Sequence, residues 1–151
     1  MTISLESIGY VKNSEYEKKD EAWGSNVSRI MLDKKYSGGL LGLSGFSHAI
    51  IVYYLDKAEF DIEKQLRRRP QSRDDMPRVG IFSQRAKDRP NNIGITSVEI
   101  VCVEDDILTV KGLDAINGTP VLDIKPYYPQ YDCKADAKTP DWVGRLMKNY
   151  F

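Results

Sequence analysis

Residues 77–96 read PRVGIFSQRAKDRPNNIGIT, a stretch that is more basic and more punctuated by glycine and proline than most connecting segments. Pro90 fixes its own φ, removes a backbone donor and favours an extended Arg89. Glycines such as Gly80 and Gly94 permit backbone conformations that other residues avoid. Such a segment can surround a ligand with backbone groups while arginine side chains bind an anion. The alternative is a basic surface loop between two strands.

Short apolar or alternating runs lie on both sides of this segment, and turn residues separate them. Because His48–Leu55 is continuously apolar, aromatic and β-branched, it is typical of a strand buried on both faces. The Ile95 and Ile107 runs flank Glu104-Asp105-Asp106 and predict a hairpin, while Asn117-Gly118 predicts a tight turn. Six short strands favour an antiparallel barrel or sandwich. The predicted strands are Leu5–Lys12, Val27–Leu32, His48–Leu55, Ile95–Val103, Ile107–Leu113 and Thr119–Ile124.

Two helices are predicted among these strands. Asp61–Arg69 is rich in helix formers and ends before Pro70. Near the C-terminus, Thr139-Pro140-Asp141 resembles an N-cap followed by proline at the first helical position, and a helix over residues 142–150 follows. Gly38–Gly45 matches neither a dinucleotide-binding nor a P-loop pattern, so we interpret it as a turn. We expect residues 1–151 to form a single domain without a Rossmann cofactor site.

The composition is that of a globular protein, since 41% of the residues are hydrophobic and 29% are charged. No apolar run is long enough for a membrane span, and no signal peptide is recognisable, so a cytoplasmic location is expected. Two cysteines do not form a disulfide framework and fit a reducing compartment. With one histidine and no ligand spacing, no metal site is predicted.

The net charge is zero, yet basic residues are concentrated between residues 64 and 89. Nine basic residues face three acidic ones in this segment, which gives it a charge of +6 and leaves −6 on the remainder. A local basic patch can contact phosphate even on a neutral protein. The alternative is a solvated helix face next to a ligand loop.

Two segments resemble the signature of the TsaA/TrmO-like family. They are Gly80–Gly94, which contains Arg85 and Arg89-Pro90-Asn91-Asn92-Ile93-Gly94, and Gly112–Tyr127, which reads GLDAINGTPVLDIKPY. Weaker similarities lie at Ile8-Gly9 and between residues 42 and 48. Asn92 stands where the family usually has a second proline. Longer family members continue beyond the position of Phe151 into an extension that we expect to help hold the tRNA.

The resemblance implies a small antiparallel β-barrel, mainly β with short helices and a C-terminal helix, that is an S-adenosylmethionine-dependent, non-Rossmann methyltransferase. The best-known member class methylates N6 of threonylcarbamoyladenosine beside the tRNA anticodon, so tRNA is the expected substrate. Family members pair across their cofactor sites, which predicts a homodimer whose pocket takes residues from both subunits. Two alternatives stay open: a methyltransferase for a small molecule or another RNA, and a non-catalytic S-adenosylmethionine-binding module.

Each chemical group of S-adenosylmethionine has candidate partners in this sequence. Arg85 can pair with the carboxylate through a bidentate fork, and its alternative is a surface salt bridge. Trp23 and Phe82 offer aromatic faces to the sulfonium or the adenine. A core position is at least as plausible for Phe82, whereas Trp23 lies in a polar segment. The resemblance adds backbone contacts from two loops, which bring in Arg89, Pro90, Asn91, Ile93, Gly94 and Ile95, and Gly112, Leu113, Asp114 and Ala115.

His48 and Asp123 are the candidate catalytic residues. A lone histidine at the start of a strand can equally be a satisfied core residue. Asp123 can equally form an ion pair with Lys125, and Asp114 can cap a turn. Alignment of donor and acceptor supplies much of the catalysis of methyl transfer, so no general base is assigned. The candidate substrate or RNA contacts are Arg67, Arg68, Arg69, Lys87, Lys125 and Tyr127.

Overall fold

A closed antiparallel β-barrel of six strands organises the computed structural model, which describes all 151 residues. The strand order around the barrel is β1-β2-β7-β6-β3-β8, and a separate two-stranded sheet pairs β4 with β5. This confirms the expected mainly β barrel and excludes the sandwich. The strands are β1 (Gly9–Lys12), β2 (Val27–Leu32), β3 (His48–Tyr54), β4 (Arg67–Arg68), β5 (Val79–Gly80), β6 (Ile93–Glu104), β7 (Ile107–Lys111) and β8 (Pro120–Pro126).

The helices are short, and none is long and apolar enough to cross a membrane. The α-helices are α1 (Ile62–Gln65), α2 (Pro129–Asp132) and α3 (Asp141–Met147). Four 3₁₀ segments cover Lys34–Leu40, Leu43–Gly45, Pro70–Ser72 and Ile81–Ser83. The first two occupy the glycine-rich stretch that was predicted to be a turn.

Strand β8 closes the barrel because it pairs with β1 on one edge and with β3 on the other. The Asn117-Gly118 turn leads into β8, and Gly118 has a φ of 86°, which favours glycine. There the Gly118 N–H donates to the Val11 carbonyl at 2.7 Å. A closed barrel leaves no strand edge unpaired in the main sheet.

The core lies inside the barrel and comes from every second residue of its strands. Side chains such as Val11, Ile30, Ile51, Leu108 and Val121 are fully buried. Period-two alternation places these residues on the inner face and their neighbours outside. Each fully buried aliphatic side chain contributes about 1.5–3 kcal/mol relative to an exposed one.

Strand β3 corrects one expectation from the sequence. Its residues alternate, so Ala49, Ile51 and Tyr53 are buried whereas His48 and Tyr54 are exposed. Burial on both faces was the wrong prediction, because in this antiparallel barrel only the inner face of the strand meets the core. The apolar residues between the buried ones lie on the outer surface.

The predicted Asp61–Arg69 helix is only one turn long. Asp61 caps it by accepting a hydrogen bond from the Glu63 N–H at 3.0 Å. The helix stops because Arg67–Arg68 pairs with Val79–Gly80 as β4 and β5. The C-terminal helix is present, but Pro140 rather than Thr139 is its N-cap.

Gly94 on β6 lies opposite Tyr53 on β3, and a Cβ built on it would lie 2.3 Å from the Tyr53 ring. We expect Gly94→Ala to lower the free energy of unfolding by about 1–3 kcal/mol, the usual cost of overpacking. Gly38→Ala is the matched control, because no atom lies within 4 Å of its added methyl group. Chemical denaturation of both variants tests this, and equal midpoints would contradict the close contact.

Candidate functional site

Three hydroxyl groups converge on the carboxylate of Asp114. Tyr53 donates from β3 to Oδ1 at 2.9 Å, and Tyr150, which follows α3, donates to Oδ2 at 2.6 Å. Thr96 on β6 donates to the same Oδ1 and lies 3.1 Å from the Tyr53 hydroxyl. Asp114 itself follows β7, so four separate parts of the chain meet at one carboxylate.

The two tyrosine hydroxyls of this Asp114 cluster resist ionisation. Burial raises the pKa of Tyr53 well above its usual value, and the Asp114 carboxylate raises it further. The same two causes, in the same order, raise the pKa of Tyr150. Arg85 acts in the opposite direction on the pKa of Tyr53, so its positive charge lies near the cluster. Both tyrosines therefore remain hydrogen-bond donors to the carboxylate.

Arg85 connects the basic segment to strand β6. Its Nη2 donates to the Ile95 carbonyl, and the side chain makes no salt bridge. The alternative interpretation of Arg85 as a surface salt-bridge partner is therefore wrong. The residue is exposed, so part of its guanidinium is available to an anion.

The loop before β6 is held by a turn that begins at Arg89 and ends at Asn92. The Asn92 N–H donates to the Arg89 carbonyl at 3.2 Å, and the Asn92 side chain accepts from the Arg89 N–H at 3.0 Å. Asn92 has a φ of 47°, which proline cannot adopt. The departure from the family pattern at this position therefore accompanies a local conformation that a second proline would forbid.

Other residues of this loop face the solvent. Pro90 and Asn91 are exposed, and so are Ile93 and Ile95 on the outer face of β6. Arg89 is half-buried, and its Nη1 donates to the Gln84 carbonyl at 2.7 Å. The loop thus presents surface on one side of β6, while Gly94 packs against Tyr53 on the other.

Residues 112–115 form the second predicted cofactor segment, and several of their backbone groups already make hydrogen bonds to other parts of the chain. Gly112 has a φ of 88° and donates its N–H to the Asn26 carbonyl at 2.9 Å. The Ala115 carbonyl accepts from Asn13 at 2.8 Å, and Leu113 and Ala115 are buried. The side chain of Asp114 does not cap a turn, because it collects the hydroxyls described above.

Trp23 is buried, with 3% of its surface exposed. The expectation that a polar segment disfavours a core tryptophan is wrong, because the C-terminal tail packs over this segment. The Trp23 backbone N–H donates to the Tyr150 carbonyl at 2.9 Å, and Lys19 Nζ lies over the ring, 4.6 Å from its centroid. A cation already occupies a face of this ring. A cofactor contact by Trp23 stays a prediction.

Phe82 is 79% exposed, so its alternative position in the core is wrong. It belongs to the 3₁₀ turn that also contains the buried Ile81. An exposed aromatic face three residues before Arg85 is available for stacking. Phe82 and Arg85 are thus the two predicted cofactor residues of the basic segment that reach the surface.

The two candidate catalytic residues do not lie together. His48 is exposed at the start of β3, which excludes the core interpretation, and its Nδ1 lies 2.8 Å from Ser47 Oγ. Asp123 lies opposite Val52 on β3. Val52 is four residues beyond His48, which corresponds to about 13 Å at the usual rise of a strand. Asp123 also forms the alternative ion pair, with Lys125 Nζ at 2.6 Å.

The predicted RNA contacts fall into two groups. Lys125 is exposed and Tyr127 half-buried at the end of β8, while Arg67 and Lys87 are exposed in the basic segment. The alternative of a solvated helix face is wrong for the segment, because its arginines lie on and beside the small β4–β5 sheet. Two of the predicted RNA-contact arginines already have partners within the protein: Arg68 lies 3.5 Å from Asp88, and Arg69 donates to the Met76 carbonyl.

Three residues of the Asp114 cluster were not predicted from the sequence: Tyr53, Thr96 and Tyr150. In the sequence, Tyr53 and Thr96 lie within two of the predicted strands, and Tyr150 lies at the end of the predicted C-terminal helix. Nothing in their local sequence indicates a common carboxylate partner. Only the pairing of β3 with β6 and the return of the C-terminus bring them together.

Sequence and structure comparisons agree on one family. The sequence model of the tRNA-methyltransferase O N-terminal domain matches residues 10–133. An Archaeoglobus fulgidus protein named "S-adenosyl-L-methionine-binding protein" is 38% identical over 134 residues, which cover 85% of this chain and 92% of that protein. The tRNA (adenine(37)-N6)-methyltransferase of Homo sapiens is 38% identical over 121 residues, which cover 80% of this chain and 26% of that protein.

The fold is similar to a solved structure of TrmO from P. aeruginosa, with a TM-score of 0.76 and 30% sequence identity. That match covers 94% of this chain and 62% of the other. The chain therefore spans about three fifths of the length of this structural relative.

The buried Tyr53 hydroxyl predicts a specific loss of stability at alkaline pH. Its pKa is raised in the folded state, so its contribution is complete below the unfolded value of about 10 and is lost as the pH rises above it. We expect Tyr53→Phe to reduce the decline of the unfolding free energy above pH 10 by up to about 1.4 kcal/mol per pH unit. Denaturant titrations from pH 8 to 11 measure this slope. Tyr16→Phe, which alters an exposed phenol, is the control; equal slopes for wild type and Tyr53→Phe would contradict the assignment.

Proposed function

Because the chain belongs to the family of the tRNA-methyltransferase O N-terminal domain, we propose that it binds S-adenosylmethionine and uses it to methylate N6 of an adenosine in tRNA. One structural observation carries this proposal. The two sequence segments predicted to hold the cofactor, 85–95 and 112–115, meet around Tyr53 through Arg85, Gly94 and Asp114. The name of the Archaeoglobus relative supports the cofactor, and the name of the human relative supports the acceptor.

The chemistry of these residues fits the proposed cofactor. The exposed Arg85 guanidinium suits a carboxylate, and the exposed Phe82 ring suits a sulfonium or an adenine. The Asp114 carboxylate, whose partner Tyr53 also feels the charge of Arg85, is a suitable acceptor for an ammonium or for ribose hydroxyls. When bound, S-adenosylmethionine supplies an electrophilic methyl group on its sulfonium.

The contribution of this chain to methyl transfer is positional. The hydroxyls of Tyr53, Thr96 and Tyr150 hold the Asp114 carboxylate in one orientation, and the Ile95 carbonyl holds Arg85. Fixed groups of this kind align donor and acceptor, which accounts for much of the rate enhancement in bimolecular reactions. Because His48 and Asp123 lie apart, we do not assign them as an acid–base pair.

We propose N6-threonylcarbamoyladenosine as the acceptor, because a carbamoyl group makes the adjacent N–H more acidic and so reduces the need for a strong base. This fits a protein in which His48 and Asp123 do not form an acid–base pair. A non-catalytic S-adenosylmethionine-binding module is the second candidate. It is favoured by the separation of His48 from Asp123, because the two candidate catalytic residues do not form an acid–base pair.

The acceptor can be tested by mass spectrometry of tRNA nucleosides from cells with and without this protein. We expect the N6-methylated threonylcarbamoyladenosine to disappear when the gene is deleted and to return on complementation. An unchanged amount of the methylated nucleoside would refute this acceptor. Turnover of S-adenosylmethionine by the purified protein with cell extract would then separate another methyltransferase from a binding module.

Arg85→Ala should weaken S-adenosylmethionine binding and leave the melting temperature nearly unchanged. The expected loss is about 1.5–3 kcal/mol, the value of a hydrogen bond to a charged group. Arg85→Lys should recover only part of it, because an ammonium cannot form a planar fork. Calorimetry measures both affinities. Arg78→Ala is a matched control, because Arg78 is an exposed arginine of the same segment that also bonds a backbone carbonyl. Equal affinities for wild type and Arg85→Ala would remove Arg85 from the site.

We also propose that the protein is a homodimer whose cofactor site takes residues from both subunits. Exposed apolar side chains support this, since Tyr54, Ile93 and Ile95 lie together on the outer faces of the paired strands β3 and β6. Exposed apolar patches of this kind often mark interfaces. Light scattering at micromolar protein should give twice the chain mass of 17.2 kDa, and a mass near 17.2 kDa would count against the dimer.

A further inference from the structure

A concave surface lies on the outside of the barrel, towards the end of β3 that is opposite to Tyr53 of the Asp114 cluster. It forms because β3 pairs with β8, which brings the residues before β3 beside those after β8. The Tyr127 N–H donates to the His48 carbonyl at 3.1 Å and fixes this junction. The resulting cleft has a volume of about 700 Å³, and its lining includes Phe46, His48, Ser97, Tyr127, Tyr128 and Gln130.

Aromatic rings dominate this cleft. Phe46 and Tyr128 stack with their centroids 5.8 Å apart and an angle of 26° between the ring planes. His48 and Tyr127 are 6.2 Å apart and tilted by 57°. Phe46 and Tyr128 remain exposed despite their mutual contact, so flat apolar surface faces the solvent. Such a surface suits a planar ring, because every nucleobase has a π-face that stacks on aromatic side chains.

Polar groups at the rim suit the edge of a base. Ser97 contributes a hydroxyl, and Gln130 contributes an amide with both donors and an acceptor. Lys125, whose side chain is 63% exposed, lies on the same outer face because it pairs with Ile50, two residues after His48. A lysine beside a stacking surface can contact the phosphate that accompanies a base.

The position of the cleft indicates whether the base bound there is the methyl acceptor or a neighbouring base. Tyr53 of the Asp114 cluster is five residues beyond His48 on β3 and points into the barrel, whereas His48 points outward. On β6, Ser97 lines the cleft and its neighbour Thr96 belongs to the cluster, and alternation sends these two side chains to opposite faces of the barrel wall. A base in the cleft is therefore separated from the proposed cofactor site by the barrel wall and is not the methyl acceptor.

We infer that this cleft, hereafter the stacking cleft, binds an unpaired nucleobase that flanks the acceptor adenosine in the RNA substrate. The inference rests on the proposed function, because it assumes an RNA acceptor. The stacking cleft then fixes the position of the RNA strand relative to the cofactor site, while the positive charge of the basic segment attracts the phosphates. Stacking tolerates any base, so the rim groups add at most a modest preference.

The test uses a synthetic RNA stem–loop that carries the fluorescent adenine analogue 2-aminopurine next to the acceptor adenosine. Stacking quenches this fluorophore. Wild type should bind the RNA with quenching, and Tyr128→Ala should bind it at least about fivefold more weakly and without quenching. Tyr128→Trp should restore both. Tyr131→Ala is the matched control, because Tyr131 is an exposed tyrosine of the same segment that does not line the cleft.

Two further measurements distinguish stacking from other roles of Tyr128. The slope of log affinity against log salt should be the same for wild type and Tyr128→Ala, because no phosphate contact is removed. S-adenosylmethionine affinity by calorimetry should also be equal in the two proteins. Phe46→Ala should behave like Tyr128→Ala, which guards against an effect specific to one substitution.

Three outcomes would overturn the inference. Equal RNA affinity and equal quenching in wild type and Tyr128→Ala, with normal cofactor binding, would refute the stacking cleft alone. A wild-type protein that binds cofactor but no RNA would refute the cleft together with the proposed RNA acceptor. If Tyr128→Ala instead halves the mass measured by light scattering, the surface is a subunit interface and not a base-binding site.

Discussion

The position of β3 between β6 and β8 is the constraint on which the rest of this structure depends. The two sequence segments that carry the family resemblance lead into these two neighbours: the basic segment into β6, and the Gly112 segment into β8. Because β3 pairs with both strands, it brings the two segments to either side of Tyr53. Closure through β1 then fixes β8, since a closed sheet has no free edge along which the register could slip.

The Asp114 carboxylate is a second constraint, because hydrogen bonds to it join several parts of the chain. A carboxylate in a partly buried position needs donors, because removing a charge from water is costly unless hydrogen bonds replace the solvent. Here the donors come from β3, β6 and the C-terminal tail, so the carboxylate couples the barrel to the tail. Backbone hydrogen bonds from Ala22 and Trp23 to residues 149 and 150 complete this attachment. The same group that defines the proposed cofactor site thus also orders the end of the chain.

Strand alternation separates the chemistry of the protein into two surfaces. On β3, Tyr53 contributes to the polar cluster inside the barrel, while His48 contributes to the aromatic cleft outside it. A period of two sends alternate residues to opposite faces. One strand can therefore contribute to the proposed cofactor site at one end and to the proposed stacking cleft at the other. The ion pair of Asp123 with Lys125 lies on the outer surface as well, which removes Asp123 from the inner cluster.

The sequence by itself determined the strand pattern, the turn at Asn117-Gly118, the existence of a C-terminal helix and, through two long motifs, the family. These features depend on local preferences or on residue identity, which a single sequence displays directly. It did not determine the length of the helix after Asp61, because the pairing of Arg67–Arg68 with Val79–Gly80 overrides helix propensity there.

Only the tertiary structure decided the burial of Trp23, the separation of His48 from Asp123, and the meeting of Tyr53, Thr96 and Tyr150 at one carboxylate. Each of these depends on contacts between residues that are distant in the chain. Local sequence patterns specify which face a residue occupies, but the partner across that face is set by strand order and closure of the barrel.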